Sequence, residues 1–473
     1  MLRISAVTRA IAAIALFSLV LGIPAAANAR AASGTWSAPQ NLGGESYFDP
    51  GSSTAPDLVS NAAGDEALVW TSPAGLRLSI ARRGGPFAPS RPVASGEPGD
   101  SIVAIDDRGD VAVAWSLNDH SITIPVPGDF DYAEYCCEHL VVATLAAGAH
   151  RFRYQQMTTP RRSLQPSSLA LAANGSTLAV LYYDSPPVNS ARPRELFARL
   201  GRFGHRLGRA VVLGSELNVF SMRASTGHAS LLLDSAVEGD GLRDALVTQG
   251  ARLAAERRVP GFFGYPLEGQ SEGYDARGDF AMLASASIPT GIAWNFGTRR
   301  AGGRFRVQRL ASDKSLSESE RILNPAIAVS AGGETLASWI GPGLGTEVPH
   351  SLIVASARLP RGRLVQQAKI VPTPFGLGYR TTAAAIDDRG QGVIVADQAD
   401  PAAAYQEGGP LVALFRSPAG RLSQPALIGR IEDVAQSQAP AVVIDAHGRG
   451  VAVWQDGRGE LLARRFRSSR APT

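Results

Sequence analysis

The stretch Ala104-Ile105-Asp106-Asp107-Arg108-Gly109-Asp110-Val111-Ala112-Val113-Ala114-Trp115 decides the fold. A short apolar strand runs into a polar turn closed by Gly, and a second apolar strand leaves it. Asp at the head of a turn bonds its own backbone, and Gly takes the positive-φ position that ends it. The same arrangement recurs at Val59 to Trp70, at Ile386-Asp387-Asp388-Arg389-Gly390 and at Ile444-Asp445-Ala446-His447-Gly448. Weaker copies centre on Gly175, Gly227, Gly278 and Gly333, so that Gly64, Gly109 and Gly175 through Gly448 make eight turn glycines.

Two offsets tie the copies together. Three residues before the Gly stands Asn61, Asp106, Asp275, Ser330, Asp387 or Asp445, with Ala172 and Ala224 as the exceptions. Six residues after it stands Trp70, Trp115, Trp339 or Trp454, with Leu181, Leu233, Ala284 and Ala396 in the other four units. The even offset holds these side chains on one face of the second strand, and so large an aromatic suits a gap between stacked sheets. A third strand follows in each unit, such as Leu140–Thr144 or Leu352–Ser356. A fourth opens with Gly and an apolar residue, as at Gly85 with Phe87 or Gly362 with Leu364.

The last unit has no fourth strand, whereas Gly34–Leu42 is a fourth strand with no unit of its own. A closed ring whose N-terminal strand completes the last blade accounts for both. The chain therefore resembles a β-propeller of the secreted bacterial type, and the resemblance spans residues 34–473. The implied fold is all-β: one propeller of eight four-stranded blades, with seven as the alternative count.

Residues 1–29 have the pattern of a cleaved signal peptide. Arg3 and Arg9 precede an apolar stretch from Ala10 to Ile23, and Ala27-Asn28-Ala29 supplies the small-x-small site. A short leader, 30–33, would then precede the propeller, and the mature protein is expected to be exported. The formal net charge of +4 falls to about +2 without Arg3 and Arg9. No run of five basic residues occurs, so no nucleic-acid partner is expected. No later stretch has the length of a membrane span.

In a propeller the A–B and C–D turns lie on one side, and the B–C loops and D–A links on the other. Here the A–B turns are short and nearly constant, which marks that side as scaffold. The B–C loops vary from a few residues to the long segment Ser116–His139. Variable loops on a rigid frame are where binding usually sits. The long loop supplies the candidate ligand residues Asp129, Asp131, Tyr132, Glu134, Tyr135, Glu138 and His139. It also holds the only two cysteines, Cys136 and Cys137. As neighbours in an exported protein they could form a strained vicinal disulfide, remain as thiols or bridge two molecules. No metal, cofactor or nucleotide motif occurs. Arg108-Gly109-Asp110 and Arg277-Gly278-Asp279 fall in A–B turns, where turn chemistry already explains them.

The expectation is a monomeric, non-catalytic binding or scaffold module for a protein or carbohydrate. The alternative is an extracellular polysaccharide hydrolase or lyase with carboxylates at the central channel.

Overall fold

The computed structural model describes residues 34–45, 57–96, 98–117, 120–124, 132–136, 139–157, 170–174, 177–184, 195–215, 217–225, 228–235, 242–248, 252–258, 270–275, 277–288, 291–300, 303–313, 323–341, 351–370, 378–399, 409–431, 439–456 and 458–468. These form a β-propeller of antiparallel sheets in chain order. Seven are four-stranded blades, the smaller of the two numbers expected; their strands, A to D, run from the channel outward. Blade 1 is Asp57–Ser60, Glu66–Ser72, Gly75–Ala81 and Arg91–Ala94. Blades 2 to 7 start at Pro98, Ala170, Leu217, Gln270, Leu323 and Gly378. The eighth sheet closes the ring and has five strands. Ala441–Ile444, Arg449–Gln455 and Glu460–Ser468 supply A to C, and Gly34–Trp36 and Gln40–Glu45 both pair with Glu460–Ser468.

The N-terminal strand behaves as a strand D in its side chains as well as its pairing. Gln40 Nε2 donates to the Phe87 carbonyl at 3.0 Å, and its Oε1 accepts the Phe87 amide at 3.2 Å. Gln308 in strand D of blade 5 clasps Leu364 of blade 6 in the same way, at 3.0 and 2.7 Å. Gln155 of blade 2 accepts the Leu207 amide of blade 3 at 2.8 Å. The closing sheet thus grips blade 1 as one ordinary blade grips the next. Trp36 packs on Phe466 and Phe415, with ring centroids 4.9 and 5.8 Å away. Arg465 reaches across the seam to Glu66 at 2.6 Å.

Apolar faces of neighbouring blades make the core. The four repeat tryptophans, Trp70, Trp115, Trp339 and Trp454, are all buried against the preceding blade. Burial of such a ring is worth about 3–5 kcal/mol by the usual truncation cost. The even offset read from the sequence therefore selects the inter-blade face.

Six of the eight turn glycines are described, and all six have positive φ, from 74° at Gly448 to 87° at Gly333. In each, the Gly amide donates to the carbonyl of the residue three before it, at 3.0–3.1 Å. Asp106, Asp275, Asp387 and Asp445 each accept two further backbone amides through Oδ1. Gly175 and Gly227 lie outside the described residues. The Gly is doubly required, because a Cβ on Gly64 would stand 2.6 Å from Oδ2 of Asp445 in the closing sheet. The two Arg-Gly-Asp sequences lie in these turns, their flanking amides spent on Asp106 and Asp275.

Candidate functional site

The B–C loop of blade 2 contains a two-stranded hairpin that the sequence reading treats as loop. His120–Ile124 pairs antiparallel with Tyr132–Cys136, placing Cys136 opposite His120. The backbones of Tyr132, Glu134 and Tyr135 lie on its second strand, and His139 opens strand C, opposite Leu117. Asp129, Asp131, Cys137 and Glu138 lie outside the described residues, and with Cys137 so does the proposed disulfide. The hairpin rises from the loop face, whereas blade 1 turns there within Ser72–Gly75.

The ends of the A strands at the channel mouth, on this same face, carry polar groups that were not singled out from the sequence. In four blades strand A is bulged near this end: between Pro98 and Ser101, Val219 and Ser221, Leu323 and Ala326, and Tyr379 and Thr382. Bulges re-aim side chains and are common beside functional sites. In blade 7 the bulge brings Arg380 and Thr381 over buried Asp397. Arg380 donates to its carboxylate from Nε at 2.7 Å and from Nη2, and the Thr381 amide donates at 2.6 Å. Asn324, at φ 45° in the blade 6 bulge, donates from Nδ2 to the Arg380 carbonyl at 2.7 Å.

Seven residues before the turn Gly, a polar side chain on strand A can bond the next blade. Asp57 accepts the Val103 amide at 2.7 Å, and Ser271 accepts the Ile327 amide at 2.8 Å. Burial raises the Asp57 carboxyl to about 6, although the Val103 amide pulls the other way.

Glu272 is the more unusual group. It stands six residues before Gly278; two other units carry Leu169 and Ser221 there, and five carry Leu58, Val103, Ile327, Ala384 and Val442. Those four other than Ala384 are buried in the seams with their preceding blades. A carboxyl therefore stands at the position where those blades carry an apolar side chain. It has no hydrogen-bond partner among the described residues, and desolvation alone raises it to about 8. At neutral pH it is mostly protonated. Aligning the repeats on their turn Gly exposes this outlier, so a sequence signal for it does exist.

Asp57 belongs to blade 1 and Glu272 to blade 5, and neither carboxyl contributes to raising the other. No group of three or more His, Cys, Asp and Glu side chains capable of holding a metal occurs among the described residues. No described helix is long and apolar enough to cross a membrane.

No protein-family model matches the sequence, and no curated protein matches it either. Similar solved structures include a prolyl endopeptidase at 12% identity and TM-score 0.43. The match covers 85% of this chain and 53% of that one, so the chain spans about half its length. An ulvan lyase of a polysaccharide lyase family matches at 9% identity and TM-score 0.42, over 90% and 95% of the two chains. The β-propeller domain of the Trilobed protease from Pyrococcus furiosus matches at 9% identity and TM-score 0.39, over 78% and 92%. The propeller assignment rests on the strand pairing of this chain itself.

Proposed function

We propose that this chain is an exported, monomeric, non-catalytic propeller that binds a carbohydrate or a protein through its B–C loop face. The observation that carries this reading is the contrast between the two ends of the blades. At one end six described turns repeat a single hydrogen-bonded geometry. At the other, blade 1 turns in two residues while blade 2 extends a hairpin from His120 to Cys136. A rigid frame with one diversified face is the usual platform for recognition.

Replacing residues 118–138 with a short Gly-Ser turn tests the reading. The variant should melt within a few degrees of the parent, because Val111–Leu117 and His139–Leu145 still pair. It should lose binding to whichever ligand the parent retains on a glycan array or in pull-downs with surface proteins. A parent that retains nothing, or a variant that binds as well, would overturn it.

Glu272 favours a second reading, as a polysaccharide hydrolase or lyase. A carboxyl still protonated at pH 7 can donate a proton to a leaving oxygen. Such chemistry ordinarily needs a second carboxylate within about 10 Å, and no charged group acts on Glu272 among the described residues. Release of reducing ends from neutral or acidic polysaccharides, abolished by Glu272→Gln, would establish the enzyme over the binding module.

A further inference from the structure

Six of the C–D turns share a property that the repeat does not require. Residues 82–90, 146–153, 201–210, 299–306, 358–364 and 416–422 contain no Asp or Glu, and every one contains Arg. The acids at this end of the blades belong to the A–B turns nearer the channel, as Asp65, Asp106, Asp110, Asp279 and Glu334 do. A net charge of about +2 for the chain without Arg3 and Arg9 thus conceals a segregated field, with a basic rim outside an acidic inner ring.

By Arg count the rim is densest where blades 5 and 6 meet, with seven against five where blades 2 and 3 meet, but the seam of blades 2 and 3 adds His150, His205 and a cleft. The C–D turn of blade 3 exposes Arg202, His205, Arg206 and Arg209, and that of blade 2 exposes His150 and Arg151. Arg202, Arg206 and Arg209 make no side-chain hydrogen bond or ion pair among the described residues. A cleft of about 310 Å³ opens at this seam, lined by Val142, Thr144, Arg153, Leu178, His205 and Arg206. Its walls are fixed. Arg153 donates to the Gly204 carbonyl at 2.7 Å, and the Leu207 amide donates to Gln155 at 2.8 Å. Arg on an edge strand can be explained as a guard against sheet extension. That explanation does not reach Arg202, Arg206 and Arg209, which flank or occupy a turn.

We propose that this seam is a docking site for an acidic polysaccharide bearing carboxylate groups. It lies on the face opposite the B–C loops and stands whether or not those loops bind anything. Guanidinium groups present planar forks that match carboxylates, and an array of unpaired cations along a rim suits a repeating polyanion. The cleft supplies a place for a substituent to enter between Thr144 and Arg206. Tyr154, an exposed aromatic residue that also lines the cleft, has its hydroxyl committed to the Val93 carbonyl of blade 1. A polymer recognised by charge rather than by base stacking fits this better than a nucleic acid does.

The test measures binding of the full chain to polygalacturonate at low and at moderate salt. Neutral dextran, oligo-dT and phosphatidylglycerol vesicles serve as the other arms. Binding to polygalacturonate should weaken with salt and exceed that to every other arm. The triple variant R202Q/R206Q/R209Q should lose at least tenfold in Kd. R300Q/R304Q/R306Q, which removes the same charge from blade 5, should change it less than twofold. All six side chains are exposed, so both variants should fold, and a thermal melt checks this. Equal losses in the two variants would reduce the effect to net charge and overturn the site. Tighter binding to oligo-dT or to vesicles would overturn the polysaccharide, and absence of binding to polygalacturonate at low salt would overturn the whole proposal.

Discussion

The two ends of the A strands solve one problem differently. At the turn end, Asp106 and Asp387 are buried carboxylates that each accept two amides from residues two and four positions on. Burial still pushes both carboxyls upward, with those amide bonds opposing it. At the mouth end, Asp57 is served by the Val103 amide of the next blade and the Leu58 backbone and rises to about 6, while Glu272 has no donor among the described residues and rises to about 8. Desolvation is the largest influence on all four carboxyls, and backbone amides oppose it at Asp57, Asp106 and Asp387. The turn end is a repeated, hydrogen-bonded joint. The mouth end holds acid groups that the fold leaves only partly served, and such groups can take on other work.

The contrast can be broken hardest at the turn end. Gly64→Val places a β-branched side chain at φ 81° with its Cβ against Asp445 of the closing sheet. It should lower the free energy of unfolding by about 4 kcal/mol or prevent folding, as urea titration would show. Asp445→Ala comes next. It removes acceptors for the His447 and Arg449 amides and the 2.8 Å ion pair to Arg449, and should cost about 3 kcal/mol. A loss below about 1 kcal/mol would mean that the turn geometry stands without its carboxylate.

Changes at the mouth should act with the opposite sign. Because the folded-state pKa of Glu272 is raised, its protonated form favours folding. That contribution is complete below pH 4.5 and is lost as the pH rises through 8. Glu272→Gln should therefore leave stability unchanged at pH 4 and increase it at pH 9, on the order of 3 kcal/mol. Denaturation at both pH values checks this, and a destabilised variant at pH 9 would show that Glu272 has a partner. Asp57→Asn should give the smallest effect. Its stabilising share disappears between about pH 4 and 6, and Asn can still accept the Val103 amide. A gain of about 1 kcal/mol at pH 7, vanishing at pH 4, is the expected result.

Much of the fold was legible because its determinants are local. An Asx three residues before a Gly closes a turn by itself, and Trp six residues after the Gly faces one side by strand parity alone. The unmatched Gly34–Leu42 could be assigned to the last unit because a closed sheet leaves no edge unpaired. The candidate site was far less legible. Tyr132–Cys136 mixes polar and aromatic residues without an apolar face, so nothing marked it as half of a hairpin. Asp57 and Ser271 resemble solvated loop residues until the amides of Val103 and Ile327 are brought against them from the next blade.

What the amino-acid order determined by itself was the repeat: its turns, its strand parity, its buried tryptophans and its closure. Each depends on residues within about ten positions of one another or on counting strands. The tertiary structure alone decided which groups meet between blades. Gln40 finds Phe87, Glu66 finds Arg465, and Arg153 finds Gly204 across separations of 47, 399 and 51 residues. It also decided that Glu272 is desolvated, with no partner among the described residues. Desolvation and inter-blade hydrogen bonds depend on what lies across a seam, and strand periodicity does not encode that.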